Sequence, residues 1–591
     1  MISRSLSKAL KRIASASGLT LGLLATSTQA TTPLFEENLS NASFPKGVWK
    51  VKNGILSASE DKCIWTVNEY QDFVLDLEFR NSAGTNSGVI IYCSDTKNWI
   101  PNSVEIQIAD DHSEKWAKAD PSWQAGAFFG HKPAIQQDVV APAGSWNRMT
   151  VTASGPYIVV EMNGELVNRI DLGDFTSATE APDGTKIPEW LSKPWAELPT
   201  VGKIGFQGKH AGAPIEFRNM SIRSISDLEL SALRSANGEL RQSTQSGLVL
   251  GQGVNLSHWL SQRGPDREWP DSNDFFTAAD VALLASQGWD HVRLPIEESI
   301  MWKKNGKRNK EAFETLDTVI TWIEAAGLKA IVDLHIVNSH HFNAVHDGGE
   351  NTLFTSEASQ ELLCDLWRDL SSFLNKWDND FLAYEVLNEA VADEHDQWNF
   401  VIAKAINAVR ELEPNRPIVV GSNRWQLASS FPFLRLPSND PNLILSYHFY
   451  SPFRFTHYQA SWVGHYYNYN GPINYPGLLV TDEQLAAVED EEIRAMLEEN
   501  QGPHGKEAMR QEMMPAMEYA RIHQLPLYLG EWGCLKTVDR DDLLVWYRDV
   551  GEILREEGIN HAIWDYQGNF GIKDYESGKV DTELLQAILG Q

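Results

Sequence analysis

Residues 381–390 read FLAYEVLNEA and residues 525–533 read LPLYLGEWG. Each is a short apolar run that reaches a glutamate, Glu389 in the first and Glu531 in the second. A near-continuous apolar run of this length fits a strand covered on both faces, as in a parallel sheet wrapped by helices. A carboxylate at the end of such a run is costly if it points into apolar packing, so it is better explained as facing a polar cleft. Six more runs have the same texture: LVLGQGVNL (248–256), HVRLPI (291–296), LKAIVDLH (328–335), PIVVGS (417–422), LILSYHFY (443–450) and HAIWDY (561–566). Helical patterns separate most of them. In TAADVALLASQGW (277–289), Thr277 and Asp280 suit a helix N-terminus and Gly288 its end. In TLDTVITWIEAAG (315–327), Leu316, Val319, Ile320 and Ile323 form one apolar stripe closed by Gly327. Eight strands alternating with helices over residues 249–591 predict a (β/α)8 TIM barrel, with a doubly wound open sheet as the alternative.

The texture is different before residue 230. Runs such as FVLDLEF (73–79), SGVIIY (87–92), VEIQIAD (104–110), RMTVTA (148–153), YIVVEMNGELV (157–167) and IEFRNMSIRSI (215–225) alternate with period two. They predict an antiparallel all-β sandwich over residues 31–226. Asn163-Gly164 marks a hairpin within it. Residues 227–248 are polar and read as a linker. The fold class is therefore multidomain, an all-β jelly-roll-like sandwich followed by a TIM barrel, as the length of 591 residues also requires.

The first thirty residues read as an export signal. Arg4, Lys8, Lys11 and Arg12 precede a short apolar run, and Thr28-Gln29-Ala30 offers a cleavage site. The run is too short for a bilayer span, so a secreted or periplasmic protein without membrane insertion after signal removal is expected. The net charge of −30 repels phosphate backbones and argues against a nucleic-acid partner. Twenty-one tryptophans suit a protein that stacks indoles on sugar rings, although tryptophan also fills cores. Of the four cysteines, Cys63 and Cys93 form either a disulfide or a pair of buried free thiols.

In a TIM barrel the functional side chains sit at the C-terminal ends of the strands. The polar residues there are Arg293 in HVRLP, His335 in VDLH, Asn388 and Glu389 in VLNEA, His448 and Tyr450 in YHFY, Glu531 in GEWG and Trp564 in IWDY. Taken singly, each has a structural reading as a hydrogen-bonding, ion-paired or core residue. As an ordered set they resemble glycoside hydrolase family five, the retaining cellulase and mannanase family, whose eight recurrent active-site residues follow this chain order. That resemblance covers about residues 249–590. It implies Glu389 as acid/base and Glu531 as nucleophile, with Arg293 and Tyr450 supporting the charge on Glu531. It also implies that Asn388 holds a sugar 2-hydroxyl, that His335 and His448 orient hydroxyls or Glu389, and that Trp564 forms the floor under the cleaved sugar. Two carboxylates about 5–5.5 Å apart would permit the retaining route.

Further features are open to two readings. Trp462, Tyr466, Tyr467 and Tyr469, after the sixth strand, line extra sugar subsites or belong to a packed insertion. His340, His341 and His346 cluster after His335, but no metal-binding motif accompanies them. No metal and no cofactor are expected.

The N-terminal half resembles the three-keto-disaccharide hydrolase domain family, a concanavalin-like jelly roll, in TNSGVIIY, VEIQIADD, GAFFGHKPA, SWNRMTVTASGPYIVVEMNGE and KIGFQGKHAGAPIEFRNMSIR. The resemblance implies either glycan binding or a keto-disaccharide activity. Glu105, Gln107 and Asp110 either face a glycan or belong to the solvent face of the sheet. The expected activity is a retaining β-glycanase of the endo-β-1,4-glucanase type acting on a polysaccharide or oligosaccharide. A β-mannanase or exo-β-glucanase is the near alternative. A non-catalytic glycan-binding protein is the alternative of another class.

Overall fold

The computed structural model describes residues 31–210, 212–225, 240–263, 275–343, 351–437, 440–463, 469–498, 502–574 and 577–590. The expected export signal, most of the expected linker, His346, Tyr466 and Tyr467 lie outside the described residues.

The N-terminal unit is two antiparallel sheets packed face to face. In the larger, Phe73–Asn81 sits centrally between Asn147–Ser154 and Ile215–Arg223. The smaller sheet has five strands in the order Ala42–Ser43, Ile64–Tyr70, Gly202–Phe206, Asn86–Cys93 and Val104–Ala109. Alternation puts Leu75, Leu77 and Phe79 of one sheet against Val89, Ile91, Ile106, Ile108 and Phe206 of the other. The Asn163-Gly164 turn joins Tyr157–Met162 to Glu165–Asp171 with both residues at positive φ, as the hairpin signal requires.

The C-terminal unit is a closed barrel of eight parallel strands. They are β1 (Gln252–Asn255), β2 (His291–Glu297), β3 (Lys329–Ile336), β4 (Leu382–Glu385), β5 (Ile418–Gly421), β6 (Leu443–Phe449), β7 (Leu527–Trp532) and β8 (Asn560–Ile563). Closure through the β8–β1 pair excludes the open doubly wound sheet. Helices α1 (Ala278–Ser286), α2 (Lys310–Ala325), α3 (Glu357–Leu374), α4 (His395–Arg410), α5 (Lys506–His523), α6 (Arg540–Glu557) and α7 (Thr582–Leu589) cover it. At the start of α1, Asp280 Oδ2 accepts the Thr277 N–H at 2.9 Å. Leu316, Val319, Ile320 and Ile323 of α2 are fully buried against the barrel.

The barrel interior is layered. Leu248, Leu250, Ile331, Ala383, Val419, Ile444, Tyr528 and Ala562 form a buried apolar plug at the N-terminal end of the strands. Of the polar segment before the barrel, Leu248 belongs to this plug and Leu240 is buried in the larger core around the barrel. One residue pair further along the strands, the interior turns polar, with Asn255, Arg293, Asp333, Glu385 and Ser446 all buried. The plug closes one end, so polar chemistry is confined to the C-terminal mouth.

Candidate active site

Arg293 is the hub of the polar layer. It is fully buried and meets three carboxylates: Nε and Nη2 donate to Glu385 at 2.6 and 3.1 Å, Nη1 donates to Glu531 at 2.8 Å, and Nη2 lies 3.1 Å from Asp333. It also donates to Asn255 Oδ1 at 2.9 Å and to Asn388 Oδ1 at 2.8 Å. A buried guanidinium is tolerable only with its donors filled, and here the planar fork fits five acceptors contributed by several strands. The neighbouring acids hold its pKa well above the usual value against the effect of burial.

Glu389 and Glu531 meet at the mouth of this layer. Glu531 is at the end of β7, and Glu389 follows β4 with a left-handed φ of 45°. Its N–H donates to Gln426 Oε1 at 2.8 Å, and Gln426 in turn donates to Ser446 Oγ at 3.0 Å. A non-glycine residue held at positive φ stores strain, and the Gln426–Ser446 support fixes it. His448 Nδ1 lies 2.8 Å from Glu389 Oε1 and 3.6 Å from Glu531 Oε2. An oxygen of each glutamate and a ring nitrogen of His448 lie within 4.8 Å of one another. Tyr450 donates its hydroxyl to Glu531 Oε2 at 3.0 Å.

The two carboxyl groups are in different electrostatic surroundings. Burial pushes the Glu389 pKa well above the ordinary carboxylate range, and the charge of Glu531 adds to the push. Burial also raises Glu531, but Arg293 and the Tyr450 hydroxyl oppose it. The proton in the pair therefore resides on Glu389 and the charge on Glu531. His448 and His335 are neutral: burial drives His448 well below its usual value and His335 down to about 3.

His335 Nδ1 bonds Asp333 Oδ2 at 2.7 Å, which fixes the ring. The ring stacks on Trp564 at 5.6 Å between centroids, with planes 9° apart. All eight residues singled out from the strand ends thus converge on one mouth. Six of them, Arg293, Asn388, Glu389, His448, Tyr450 and Glu531, are joined by direct polar contacts, and His335 and Trp564 form an adjoining wall.

The geometry also shows residues that strand-end reading passed over. Glu385 is fully buried at the end of β4, four residues before Glu389, and carries the bidentate contact to Arg293. Its signal was present as an acid inside the apolar run FLAYEVL. Asn255 holds Arg293 and donates to Gly530 O at 2.9 Å, linking β1 to β7. Gln426 has no strand-end signal, since it comes from the loop after β5.

The accessory aromatics divide. Trp462 is 44% exposed and its ring lies 6.3 Å from His457 and 6.5 Å from Phe570, in the aromatic group that also surrounds Tyr450. Tyr469 is buried with its hydroxyl on Pro472 O at 3.0 Å, a packed insertion residue rather than a subsite wall. His340 is buried, and His341 Nδ1 accepts the Asn343 N–H at 3.0 Å. Neither joins a group of three metal-ligating side chains among the described residues.

Residues 251–570 match the cellulase family, glycosyl hydrolase family 5. The chain belongs to that family. The chain is similar to endoglucanase C of Acetivibrio thermocellus, 28% identical over 341 residues that cover 57% of this chain and 97% of that protein. The Cel5A structure of Thermotoga maritima with cellobiose is 21% identical and covers 58% of this chain and 99% of its own, at a TM-score of 0.45. A solved structure from Parabacteroides distasonis is 52% identical over 33% of this chain and all of its own, at a TM-score of 0.33. Residues 31–223 match the 3-keto-alpha-glucoside-1,2-lyase-like domain. As a family 5 glycosyl hydrolase the chain acts on a glycan, and the mouth of its barrel is where Glu389 and Glu531 meet.

Proposed function

We propose that the chain is a retaining endo-β-1,4-glucanase in which Glu389 is the acid/base and Glu531 the nucleophile. The carrying observation is the close approach of the two carboxyl groups, with oxygens within 4.8 Å. Inverting enzymes keep their carboxyls about 6.5–9.5 Å apart to admit a water, whereas retaining enzymes need about 5–5.5 Å.

In the first step Glu531 attacks the anomeric carbon while Glu389 delivers its proton to the leaving glycosidic oxygen. A glycosyl ester forms on Glu531, and Glu389 is left ionised. In the second step Glu389 takes a proton from water, the water oxygen displaces Glu531, and the starting protonation is restored. Arg293 and Tyr450 stabilise the charge that returns to Glu531. Asn388 has its carbonyl oxygen on Arg293, so its NH2 group is the donor offered to a sugar 2-hydroxyl. His448 holds Glu389 in place, and Trp564, backed by His335, supplies the apolar platform.

The glucanase assignment is supported by the relative named above, an endoglucanase. The basic and apolar texture of residues 1–30 supports export, so the polymer is met outside the cytoplasm. The test is hydrolysis of a panel of β-glucans and mannans with product sizes resolved, repeated on Glu531→Gln. Turnover of β-1,4-glucan by the parent, absent in the variant, supports the reading. Turnover of mannan alone would replace the substrate, and no turnover of any polymer or aryl-glycoside would leave a glycan-binding protein.

A further inference from the structure

The sandwich is fastened to the barrel by its residues 131–140. Lys132 pairs with Glu518 of α5 at 2.8 Å, largely shielded from solvent. Gln137 donates its N–H to Pro432 O at 3.0 Å, and Arg435 Nη2 donates back to Gln137 O. Gln136 is buried; its amide oxygen accepts from Arg435 Nη1 at 2.9 Å and its NH2 donates to Leu166 O at 3.1 Å. Pro432 and Arg435 are thus held from the sandwich side through backbone and side chain together.

The barrel grips the same residues from the other side. Tyr519 of α5 donates its hydroxyl to Leu434 O at 3.0 Å, and its ring meets Phe431 edge-on at 5.5 Å. Asn399 of α4 donates to Phe433 O at 3.0 Å and accepts the Arg435 N–H at 2.9 Å. A segment satisfied on both sides has few alternative arrangements, so it carries the placement of one domain to the other.

The clamped residues end the loop that supports Glu389. Ahead of them, Gln426 accepts the Glu389 N–H, and Leu427 pairs with His448, whose ring contacts Glu389 Oε1. Leu427 O is held by Ser422 Oγ at 2.8 Å and by the Ser430 N–H at 3.0 Å, which joins these supports to the turn Ala428–Phe433. Arg424, Trp425 and Gln426 all take left-handed φ, at 58°, 59° and 56°. Non-glycine residues stay in that region only where their surroundings over-determine them. Asn423 supplies one anchor, through paired hydrogen bonds with Ala392 at 2.8 and 3.0 Å. The sandwich clamp supplies the other.

We propose that the sandwich is a positioning element of the catalytic centre: its hold on Pro432 and Arg435 fixes the loop that aims Glu389. Arg435 touches no reacting atom and acts through Gln426 and His448. This role rests on Glu389 being the acid/base. A misplacement of about 1 Å arising far from the chemistry can cost about 10²-fold in rate. A loosened loop therefore slows the steps that need the proton of Glu389 and spares those that do not.

The test compares kcat/KM of the full chain on cellotetraose, whose leaving group needs a proton, and on a dinitrophenyl β-cellobioside, whose leaving group does not. If the parent cleaves mannan instead, the corresponding manno-oligosaccharide and aryl mannoside take their place. Arg435→Met keeps an unbranched stem and should lower the ratio of the first value to the second by about tenfold or more. Lys132→Glu should move the ratio in the same direction, and combining it with Glu518→Lys should restore it. This charge exchange decides the matter alone if thermal melting shows Arg435→Met to be unfolded. A merely structural role would lower both substrates in proportion. A ratio equal to the parent's in the folded variants, or one that the exchange fails to restore, overturns the inference. Failure of the acid/base reading would show separately, because Glu389→Gln would then leave the same ratio unchanged.

Discussion

Removing the Tyr450 hydroxyl tests how the site divides its charge. The hydroxyl donates to Glu531 Oε2 at 3.0 Å, while the ring packs on His457 at 5.0 Å and Phe570 at 6.1 Å. Tyr450→Phe keeps the ring and deletes only the donor. A hydrogen bond to a charged group is worth about 1.5–3 kcal/mol, and 1.36 kcal/mol corresponds to about one pK unit, so the loss amounts to roughly 1–2 pH units. The sign follows from which form is bonded. The hydroxyl favours ionised Glu531, so its removal raises the pKa and less of the nucleophile is charged at low pH. The acidic limb of kcat/KM against pH, measured on an aryl β-cellobioside, should therefore move up by about 1–2 pH units. Because the glutamates titrate as a pair, the limb reports the pair's first proton loss. An acidic limb that stays in place, or moves to lower pH, would refute the assignment of the charge to Glu531.

Other expectations follow from the same contacts. Glu389→Gln should slow polymer hydrolysis by about 10²–10⁴-fold, with a smaller loss on aryl glycosides whose leaving groups need no proton, as steady-state kinetics would show. Arg416 is buried, pairs with Glu413 at 2.7 Å and donates to Leu382 O at 2.9 Å. Arg416→Met should therefore cost about 3–5 kcal/mol in urea unfolding, because it strands Glu413 as an unpaired buried charge. In the sandwich, the folded state favours protonated Glu105 up to about pH 8, whereas the unfolded chain releases that proton near the ordinary carboxylate value. The parent thus loses this contribution as pH rises from 5 to 8, and Glu105→Gln should gain stability relative to it over that window, measured by denaturant midpoints.

Much of the barrel was legible because its strands are short apolar runs bounded by polar residues, and eight of these fall on the eight observed strands. The mouth was legible for the same reason: strand ends are where side chains leave the packed interior, so a polar residue there has little else to do. Glu385 escaped because it lies inside an apolar run, where its role depends on Arg293 some ninety positions earlier in the chain. Gln426 escaped because only the folded loop after β5 brings it under Glu389. Local sequence cannot encode such contacts, which depend on barrel closure.

In the sandwich, alternation identified the strands but not which outward residues were already satisfied. Gln107 and Glu105 share one parity of the same strand, and only the partners supplied by neighbouring chain segments distinguish them. The choice left open at Cys63 and Cys93 resolves as two free thiols. Both belong to one small apolar group with Trp65, Ile90 and Trp99.

The most direct measurement is covalent trapping. A 2-deoxy-2-fluoro β-cellobioside with a good leaving group slows release of the glycosyl ester, and peptide mapping by mass spectrometry then locates it. An adduct on the peptide containing Glu531, formed by the parent and absent from Glu531→Gln, is the predicted result. Labelling of Glu389 instead, or release of an α-configured first product with no adduct, would contradict the mechanism.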